Sequence, residues 1–261
     1  MELKTILITQ ARISSTRLPG KILLEIKGKS ILRYHLNRIS QSLNIDKIIV
    51  ATTLNIKDNI LAQKVKDWGF EIFRGSEDDV LDRFYQSVKN EGAEWIVRVT
   101  TDCPLIDPKL IDKVVLFVKK SGCDYGSNIL IENFPDGQDI EVFKFSALKR
   151  AWIEAKLPSE REHVTTYIRN NSNFNGRNLF SAINFSNDKN YSKIRMTIDE
   201  KADYDLLSVL INDFGIDKTW REYADYIIEK KLYNINGKIL RNEGLLKSIQ
   251  NDNHEKGTKI I

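Results

Sequence analysis

Residues 5–23 read TILITQARISSTRLPGKIL, and this stretch decides the fold class. The apolar run Ile6–Ile8 is typical of a buried strand. It breaks directly into a loop that carries three cations, Arg12, Arg17 and Lys21. Folding alone does not favour this crowding, because like charges repel in a short loop. Guanidinium and ammonium groups bind phosphate oxygens, so the stretch predicts an anion-binding loop after the first strand; the alternative is a solvated basic loop.

The composition is that of an ordinary globular protein of 261 residues, with 41% hydrophobic and 29% charged residues. The formal net charge is only +4 and basic residues are spread along the chain, which does not indicate nucleic-acid binding. Two cysteines, Cys103 and Cys123, cannot form a disulfide framework or a cysteine-rich zinc site. The charged start and the absence of an apolar run of about 18 residues predict a cytoplasmic protein with neither a signal peptide nor a membrane span.

Strand-like and helix-like segments alternate along the first half of the chain. Short apolar runs predict strands at Ile6–Thr9, Lys47–Ala51, Phe70–Phe73 and Trp95–Val99. Amphipathic stretches predict helices at Ser30–Leu43, Lys57–Trp68, Asp79–Glu91 and Asp107–Lys120. This alternation is typical of βαβ units, so we predict an α/β fold with a mostly parallel central sheet flanked by helices. Ligands bind such sheets at the carboxyl ends of the strands.

The rhythm loosens after Cys123, although we predict one domain over residues 1–236. The segment NFPDGQDIEVFKF, residues 133–145, predicts a turn at Pro135–Gly137 and then a strand. The predicted elements are strands at Asp139–Phe145 and Lys193–Ile198 and helices at Ser146–Ala155, Ser159–Asn170 and Thr219–Lys230, with a capping box of Ser159 and Glu162. Residues 237–261 are predicted to form a polar tail whose apolar residues are spaced for one docking helix: Leu240, Leu245, Leu246 and Ile249.

Two common phosphate-binding motifs are absent from the opening loop. Gly28-Lys29-Ser30 matches the end of a P-loop, but the glycine that the motif requires upstream is Leu23. No G-x-G-x-x-G pattern follows the first strand, which disfavours a nicotinamide dinucleotide. The loop is therefore predicted to bind an anion through its own arginines and lysine.

Two aspartates follow predicted strands at the same relative position. Asp102 comes just after the strand Trp95–Val99, and Asp199 just after Lys193–Ile198. The carboxyl ends of parallel strands share one rim, so the two carboxylates could meet there. Mg²⁺ prefers one or two protein carboxylates with phosphate oxygens and water, which makes this pair a candidate metal site. The structural alternatives are a turn residue before Pro104 and a helix N-cap.

Residues 11–21, ARISSTRLPGK, resemble the signature loop of the CMP-sugar-acid synthetases, the cytidylyltransferases that act on Kdo and acylneuraminates. The similarity is greater to the spore-coat-polysaccharide SpsF branch of that superfamily. It continues in the same order through further blocks: GSEDDVLDRFYQ (75–86), RVTTDCPLIDP (98–108), GQDIEVF (137–143), EREHVTTYI (160–168) and RMTIDEKADYDLL (195–207). Together the blocks span about residues 1–207.

The resemblance implies a nucleotide-diphospho-sugar-transferase (Rossmann-like) fold, CTP as the nucleotide, Mg²⁺ and, as in many members, a homodimer. It implies that Arg12, Arg17 and Lys21 hold the triphosphate and stabilise the leaving pyrophosphate. It makes Asp102 and Asp199 the metal ligands. The nucleotide-binding set that it implies is Ala11, Arg12, Ser15, Lys21, Asp79, Arg83 and Asp102.

Several of these side chains have a structural reading beside the functional one. Asp79 and Arg83 lie in the first turns of a helix, where an acid complements the dipole and an (i, i+4) ion pair needs no ligand. Asp139 and Glu141 alternate on one face of a strand, and either point together at an acceptor or form the exposed face of an edge strand. His163 is either a structural residue or an acid–base group.

The resemblance, together with these residues, predicts a cytidylyltransferase that transfers CMP from CTP to a small anionic sugar-like acceptor and releases pyrophosphate, in surface polysaccharide or glycoconjugate biosynthesis. An acceptor oxygen attacks the α-phosphorus in line. A hydroxyl acceptor must lose a proton, whereas a phosphate or phosphonate need not. One alternative is a nucleotide-sugar-dependent glycosyltransferase of the same fold, which would carry D-x-D where this chain has Asp102-Cys103-Pro104. The other is a nucleotide-binding protein without turnover.

Overall fold

The computed structural model describes residues 4–258. Its strands are β1 (Lys4–Gln10), β2 (Glu25–Ile26), β3 (Lys29–Ser30), β4 (Lys47–Thr53), β5 (Glu71–Gly75), β6 (Ala93–Arg98), β7 (Tyr125–Ser127), β8 (Glu141–Lys144) and β9 (Ala182–Asn184). One seven-stranded sheet has the order β5-β4-β1-β6-β8-β7-β9, and β2 pairs with β3. Strands β5, β4, β1 and β6 run parallel, whereas β8 is antiparallel to both of its neighbours. The predicted mostly parallel sheet is confirmed.

Helices cover both faces of the sheet. They are α1 (Ile31–Ile39), α2 (Asn59–Asp67), α3 (Val80–Val88), α4 (Pro108–Ser121), α5 (Phe145–Glu154), α6 (Pro158–Glu162), α7 (Thr166–Asn170), α8 (Lys201–Val209), α9 (Trp220–Glu229) and α10 (Glu243–Thr258). A π-helical turn at Leu210–Phe214 extends α8. Among residues 4–258, no helix is both long and apolar enough to cross a membrane.

Strand β1 is the centre of the core because both of its faces are covered. Leu7 packs into the cluster formed with α1, α2, α4, α8 and α9, whereas Ile6 and Ile8 pack into the cluster formed with α3, α5 and α7. Successive side chains of a strand point to opposite faces, so a strand buried on both faces reads as a continuous apolar run. This burial fixes the position at which the loop after β1 leaves the sheet.

The strands and helices predicted in the first half of the chain are confirmed, with ends that differ by a few residues. The strand predicted at Lys193–Ile198 is wrong. This extended segment makes only an isolated bridge, between Asp136 and Arg195. Its alternate residues Ile194, Met196 and Ile198 are apolar, which produces a strand-like pattern in the sequence, but all of residues 194–198 are buried and the chain beside them is loop rather than strand. Asp199 therefore does not follow a strand.

The helix predicted from Ser159 is divided into α6 and α7 at Val164. Val164 has a φ of 56°, in the left-handed region that a β-branched residue rarely adopts. The predicted capping box is also wrong, because α6 begins one residue earlier. Glu160 rather than Glu162 reaches back, and its carboxylate accepts the backbone N–H of Leu157 at 3.2 Å.

The tail predicted over residues 237–261 contains α10, and residues 259–261 lie outside the described range. Polar contacts hold α10 against α6. The hydroxyl of Ser248 donates to Glu162 at 2.8 Å, and the carboxylate of Asp252 accepts the N–H of Ser159 at 3.2 Å. Several apolar side chains predicted to dock this segment instead remain largely exposed: Leu240, Leu246 and Ile249.

We predict that Gly137→Ala lowers the free energy of unfolding by about 3 kcal/mol or more, because it adds a backbone clash to a strained φ. Gly137 has a φ of 100°, and a Cβ there would lie 2.7 Å from the carbonyl carbon of Met196 in the extended segment. Urea unfolding measures the change. Gly176 is the control, since its φ is 71° but open space surrounds it, and Gly176→Ala should cost only about 1 kcal/mol. Equal losses in the two variants would contradict the clash.

Candidate active site

Two adjoining cavities open at the carboxyl ends of β1 and β6. The loop-side cavity, of about 380 Å³, is lined by the loop after β1 and by Arg83 of α3. The inner cavity, of about 240 Å³, is lined by residues from β8, α7 and the segment that enters α10. Eight residues line both cavities and mark the boundary between them: Gln10, Arg17, Thr100, Asp102, His163, Asp199, Glu243 and Gly244.

The structure brings together most of the predicted site residues. Eight of them line the loop-side cavity: Ala11, Arg12, Ser15, Arg17, Lys21, Arg83, Asp102 and Asp199. Asp79 does not line it. It lies in a neighbouring surface depression, together with Arg161.

The loop after β1 is anchored through its backbone. The N–H of Ala11 donates to the carbonyl of Ala51 at 3.0 Å, which continues the pairing of β1 with β4. The N–H of Ile13 donates to the carboxylate of Asp58 at 2.8 Å. Asp58 is buried and also accepts the hydroxyl of Thr53. These contacts fix the backbone at the start of the loop, which positions its cations at the cavity.

Lys21 joins the two candidate metal ligands. Its ammonium donates to the carbonyl of Ile198 at 2.7 Å, to Asp199 at 2.8 Å and to Asp102 at 3.4 Å. Only 14% of its side chain is exposed. Burial lowers the pKa of Lys21, but the carboxylates of Asp102 and Asp199 more than offset this and hold it above its usual value. The ammonium is therefore charged at neutral pH.

Asp199 is surrounded by cations on the cavity side. Arg17 contacts one of its oxygens at 3.0 Å, and Arg195 contacts the other at 3.1 Å. Burial raises the pKa of Asp199, but Lys21, Arg17 and Arg195 outweigh it and lower the pKa below its usual value. The second branch of the Arg17 guanidinium contacts Glu243 at the start of α10, at 3.3 Å.

Arg12 and Arg83 are the remaining cations of the loop-side cavity. Arg12 is exposed, and no ion pair to it occurs among the described residues. Arg83 is 2% exposed, donates to the carbonyl of Ser76 at 2.6 Å and keeps a buried Nε without a partner in the described chain. Burial and the charge of Arg12 lower the pKa of Arg83 to about 10, so the guanidinium is still charged at neutral pH. Both side chains retain donors for an anion.

The carboxylate of Asp79 makes structural contacts at the start of α3. Its carboxylate accepts the N–H of Asp82 at 2.8 Å, which caps the start of α3. Arg161 of α6 binds the same carboxylate through Nε at 3.0 Å and through Nη2 at 2.5 Å. Both carboxylate oxygens are thus engaged by the protein, and the ion pair with Arg83 considered from the spacing is replaced by one with Arg161.

The inner cavity is lined by charged residues that were not predicted as site residues. Glu141 is 2% exposed and is bonded to Arg98, to the hydroxyl of Tyr125 at 2.7 Å and to that of Thr165 at 2.5 Å. The reading of its strand as an exposed edge is wrong, because β8 lies inside the sheet. Arg169 of α7 lines the same cavity, and no ion pair to it occurs within residues 4–258. It directly follows the block EREHVTTYI, which was the signal that pointed to this part of the chain.

His163 lies at the turn between α6 and α7. Its Nε2 is 3.0 Å from the hydroxyl of Ser248 in α10. Burial lowers its pKa, with an opposing contribution from Glu162, so the ring is mostly neutral at pH 7. Helix α10 also contributes Gly244 and Lys247 to the loop-side cavity. No motif in the sequence placed this helix at the site.

A family model described as cytidylyltransferase matches residues 6–239. An uncharacterised protein of Methanocaldococcus jannaschii is 40% identical over 242 residues, which cover 91% of this chain and 96% of that protein. The spore coat polysaccharide biosynthesis protein SpsF of Bacillus subtilis is 35% identical over 213 residues, covering 80% and 86%. A solved structure of a cytidylyltransferase from Leptospira borgpetersenii has a TM-score of 0.84 and 32% identity, covering 92% of this chain and 100% of that one.

We predict that Asp79→Ala lowers the free energy of unfolding by about 1–2 kcal/mol, because it removes the cap of α3 and the partner of Arg161. Thermal or urea unfolding measures the loss. Asp78→Ala is the matched control: Asp78 is the exposed neighbour in the same turn and should change stability by less than about 0.5 kcal/mol. A loss no larger for Asp79→Ala than for Asp78→Ala would show that the cap is not structural.

Proposed function

The chain belongs to the cytidylyltransferase family, and we propose that it transfers CMP from CTP to a small anionic sugar-like acceptor, with release of pyrophosphate. The resemblance of residues 11–21 to this family is confirmed by the match over residues 6–239. The relative from Bacillus subtilis is named for spore coat polysaccharide biosynthesis. This supports a role for the present chain in the synthesis of a surface polysaccharide or glycoconjugate.

One observation carries the proposal: the ammonium of Lys21 contacts Asp102 and Asp199 at the boundary of the two cavities. The helix N-cap considered for Asp199 does not describe its position, whereas Asp102 does lie in a turn before Pro104. The N-cap of α8 is Glu200 rather than Asp199, and the side chain of Asp102 points to Lys21. Two carboxylates therefore converge beside a loop of phosphate-binding cations, which is the arrangement that nucleotidyl transfer requires.

The two carboxylates fit a divalent cation. Both contact the same ammonium, at 3.4 Å and 2.8 Å, so the two carboxylates face one point of the cleft. The described residues contain no group of three or more possible metal ligands, which agrees with an ion that takes its other ligands from phosphate oxygens and water. Asp102 and Asp199 would hold Mg²⁺ there. When bound, Mg²⁺ neutralises charge that develops on the phosphates.

The cations of the loop-side cavity would bind the nucleotide. Arg12, Arg17 and Lys21 lie where they can hold the triphosphate and neutralise the charge on the leaving pyrophosphate. Arg83 lines the same cavity, which supports a contact to the base or ribose. The hydroxyl of Ser15 and the backbone of Ala11 complete this side. Catalysis then depends on positioning and charge stabilisation rather than on a covalent intermediate.

The inner cavity would bind the acceptor. It adjoins the loop-side cavity at Asp102 and Asp199, so an acceptor there lies beside the α-phosphate. Its volume of about 240 Å³ suits a small sugar-like molecule. The other arginines that line it have carboxylate partners, as in the pair of Arg98 with Glu141, whereas Arg169 has none in the described residues. An acceptor carboxylate or other anion would supply that partner.

We predict that CTP is preferred over ATP, GTP and UTP. Pyrophosphate release in the presence of Mg²⁺ and a panel of sugar acids, sugar phosphates and phosphonates measures the preference, and calorimetric titration gives the affinities. Lys21→Ala is the control for the site, with an expected loss of turnover of about 10²-fold or more, because a charge-assisted phosphate contact is removed. Equal or faster release from UTP or a purine nucleotide would contradict the assignment. Consumption of a nucleotide-sugar without pyrophosphate would instead indicate a glycosyltransferase.

We predict that Asp102→Asn and Asp199→Asn each abolish most turnover, and that the double variant is little worse than either single one. If both carboxylates bind the same ion, the loss of either one already removes its contribution to the rate. Removing the second then lowers turnover little further, so the losses are not additive. The measurement is a double-mutant cycle on Mg²⁺-dependent pyrophosphate release. Thermal melts of the same variants are the control, because a capping role would lower stability by about 1 kcal/mol and leave activity near normal. Mild, additive losses of activity would refute the shared site.

A further inference from the structure

Strand β8 and the loop before it bring two carboxylates to the inner cavity in different environments. Glu141 is saturated by Arg98, Tyr125 and Thr165 and is buried. Asp139 keeps 25% of its side chain exposed, and this surface lines the inner cavity. One of its carboxylate oxygens accepts a hydrogen bond from Nη2 of Arg241 at 2.6 Å. The other oxygen has no hydrogen-bond donor among the described residues, so it is available to a molecule in the cavity.

The charges around Asp139 favour its protonated form more than is usual for a carboxyl group. Burial is the main cause, the neighbouring carboxylates add to it and Arg241 opposes it, and together they raise the pKa of Asp139 to about 7. Arg169 of α7 also faces this carboxylate. The charged groups that face it from the packed elements are Asp102, Asp136, Glu141, Arg169 and Arg241. A carboxylate in this range can accept a proton and return it to solvent near neutral pH.

We propose that Asp139 is the catalytic base that takes the proton of an acceptor hydroxyl, and that the acceptor reacts through a hydroxyl rather than through a phosphate or phosphonate oxygen. The inference rests on the proposed function and names the acceptor class for the same site. Its geometric basis is the free oxygen of Asp139 in the cavity that adjoins Asp102 and Asp199. A phosphate or phosphonate oxygen is already an anion and has no proton that a base must take.

The step balances as follows. The acceptor oxygen forms a bond to the α-phosphorus while its proton passes to the free oxygen of Asp139. The bond between the α-phosphorus and the oxygen bridging to the β-phosphate breaks, and pyrophosphate leaves with that electron pair beside the cations of Arg12, Arg17 and Lys21. The proton on Asp139 is then released to solvent.

Arg241 is the positioning residue for this base. It lies beyond residue 239, where the family match ends, and it precedes α10. Besides the contact with Asp139, its guanidinium donates to the carbonyl of Phe134 at 3.2 Å. The following residue, Asn242, has a φ of 59° and turns the chain towards the cavity. The segment that orients Asp139 therefore follows the residues that the family model matches.

The test compares Asp139→Asn with Asp188→Asn, the same substitution at an exposed loop position away from both cavities. Pyrophosphate release from CTP is measured with two hydroxyl acceptors, 3-deoxy-manno-octulosonate and N-acetylneuraminate, and with two oxyanion acceptors, glucose 1-phosphate and 2-aminoethylphosphonate. We expect release with the hydroxyl class. Asp139→Asn should lower kcat by about 10²-fold or more with the KM for CTP unchanged, whereas Asp188→Asn should match the unsubstituted protein.

The pH profile is a second readout that a purely structural role would not move. The rate of the unsubstituted protein should fall as the pH drops below neutrality, because the base becomes protonated. Arg241→Gln removes the opposing cation, raises the pKa of the base and should shift this acid limb to higher pH. It keeps the inference testable where Asp139→Asn does not fold, which thermal melts of all variants show.

The outcomes separate the two proposals. If neither class of acceptor leads to release of pyrophosphate, the proposed function is refuted, and this inference with it. Turnover that prefers the oxyanion acceptors, or that survives Asp139→Asn at the level of Asp188→Asn, overturns the inference alone and leaves the cytidylyltransferase assignment intact. An acid limb that does not respond to Arg241→Gln also overturns it.

Discussion

The contact of the Lys21 ammonium with two carboxylates is the interaction on which the rest of the site depends. It joins the loop after β1 to Asp102 after β6 and to Asp199 before α8. Two carboxylates in a partly buried cleft repel each other unless a cation lies between them, and a buried ammonium is costly unless it is paired. The ammonium therefore reduces the repulsion between the two carboxylates, and the carboxylates offset the cost of burying the ammonium. As a result, the carboxylates and the phosphate-binding cations lie together at the boundary between the two cavities.

The extended segment 193–198 is held in place by charge rather than by a sheet. Arg195 is 6% exposed and binds Asp136 at 2.5 Å, Asp199 at 3.1 Å and Asp203 at 2.8 Å. Asn236 donates to the same buried Asp203 at 2.9 Å. Such a network adds less stability than apolar packing of equal volume, but the loss of one partner leaves an uncompensated buried charge. It therefore specifies one position for Asp199, which no strand supplies.

The two cavities divide the proposed chemistry between different parts of the chain. The nucleotide side is built from the loop after β1 and from α3, which lie inside the family match over residues 6–239. The acceptor side is built from β8 and α7, which also lie inside that match, and is closed by the start of α10, which follows it. On the proposed function, the nucleotide and the acceptor are therefore bound by different elements of the chain. The carboxylate of Asp139 and the guanidinium of Arg169 are the features of that wall that an acceptor would meet.

The sequence by itself determined the first strand, the alternation of strands and helices, the cationic loop and the position of Asp102. These features depend on local composition and on the period of burial, which a short segment carries within itself. It also carried the family resemblance, because each matching block is a continuous run of residues and the blocks occur in the same order.

Only the tertiary structure decided which partners the polar groups have. Residues 193–198 alternate like a strand, yet loops lie beside them. Asp79 has the spacing to pair with Arg83, yet Arg161 binds it from α6. Asp139 and Glu141 share one sequence pattern, yet one is saturated and the other faces a cavity. The physical reason is that hydrogen bonding and charge compensation act between residues far apart in the chain, and no local pattern records which of them will meet.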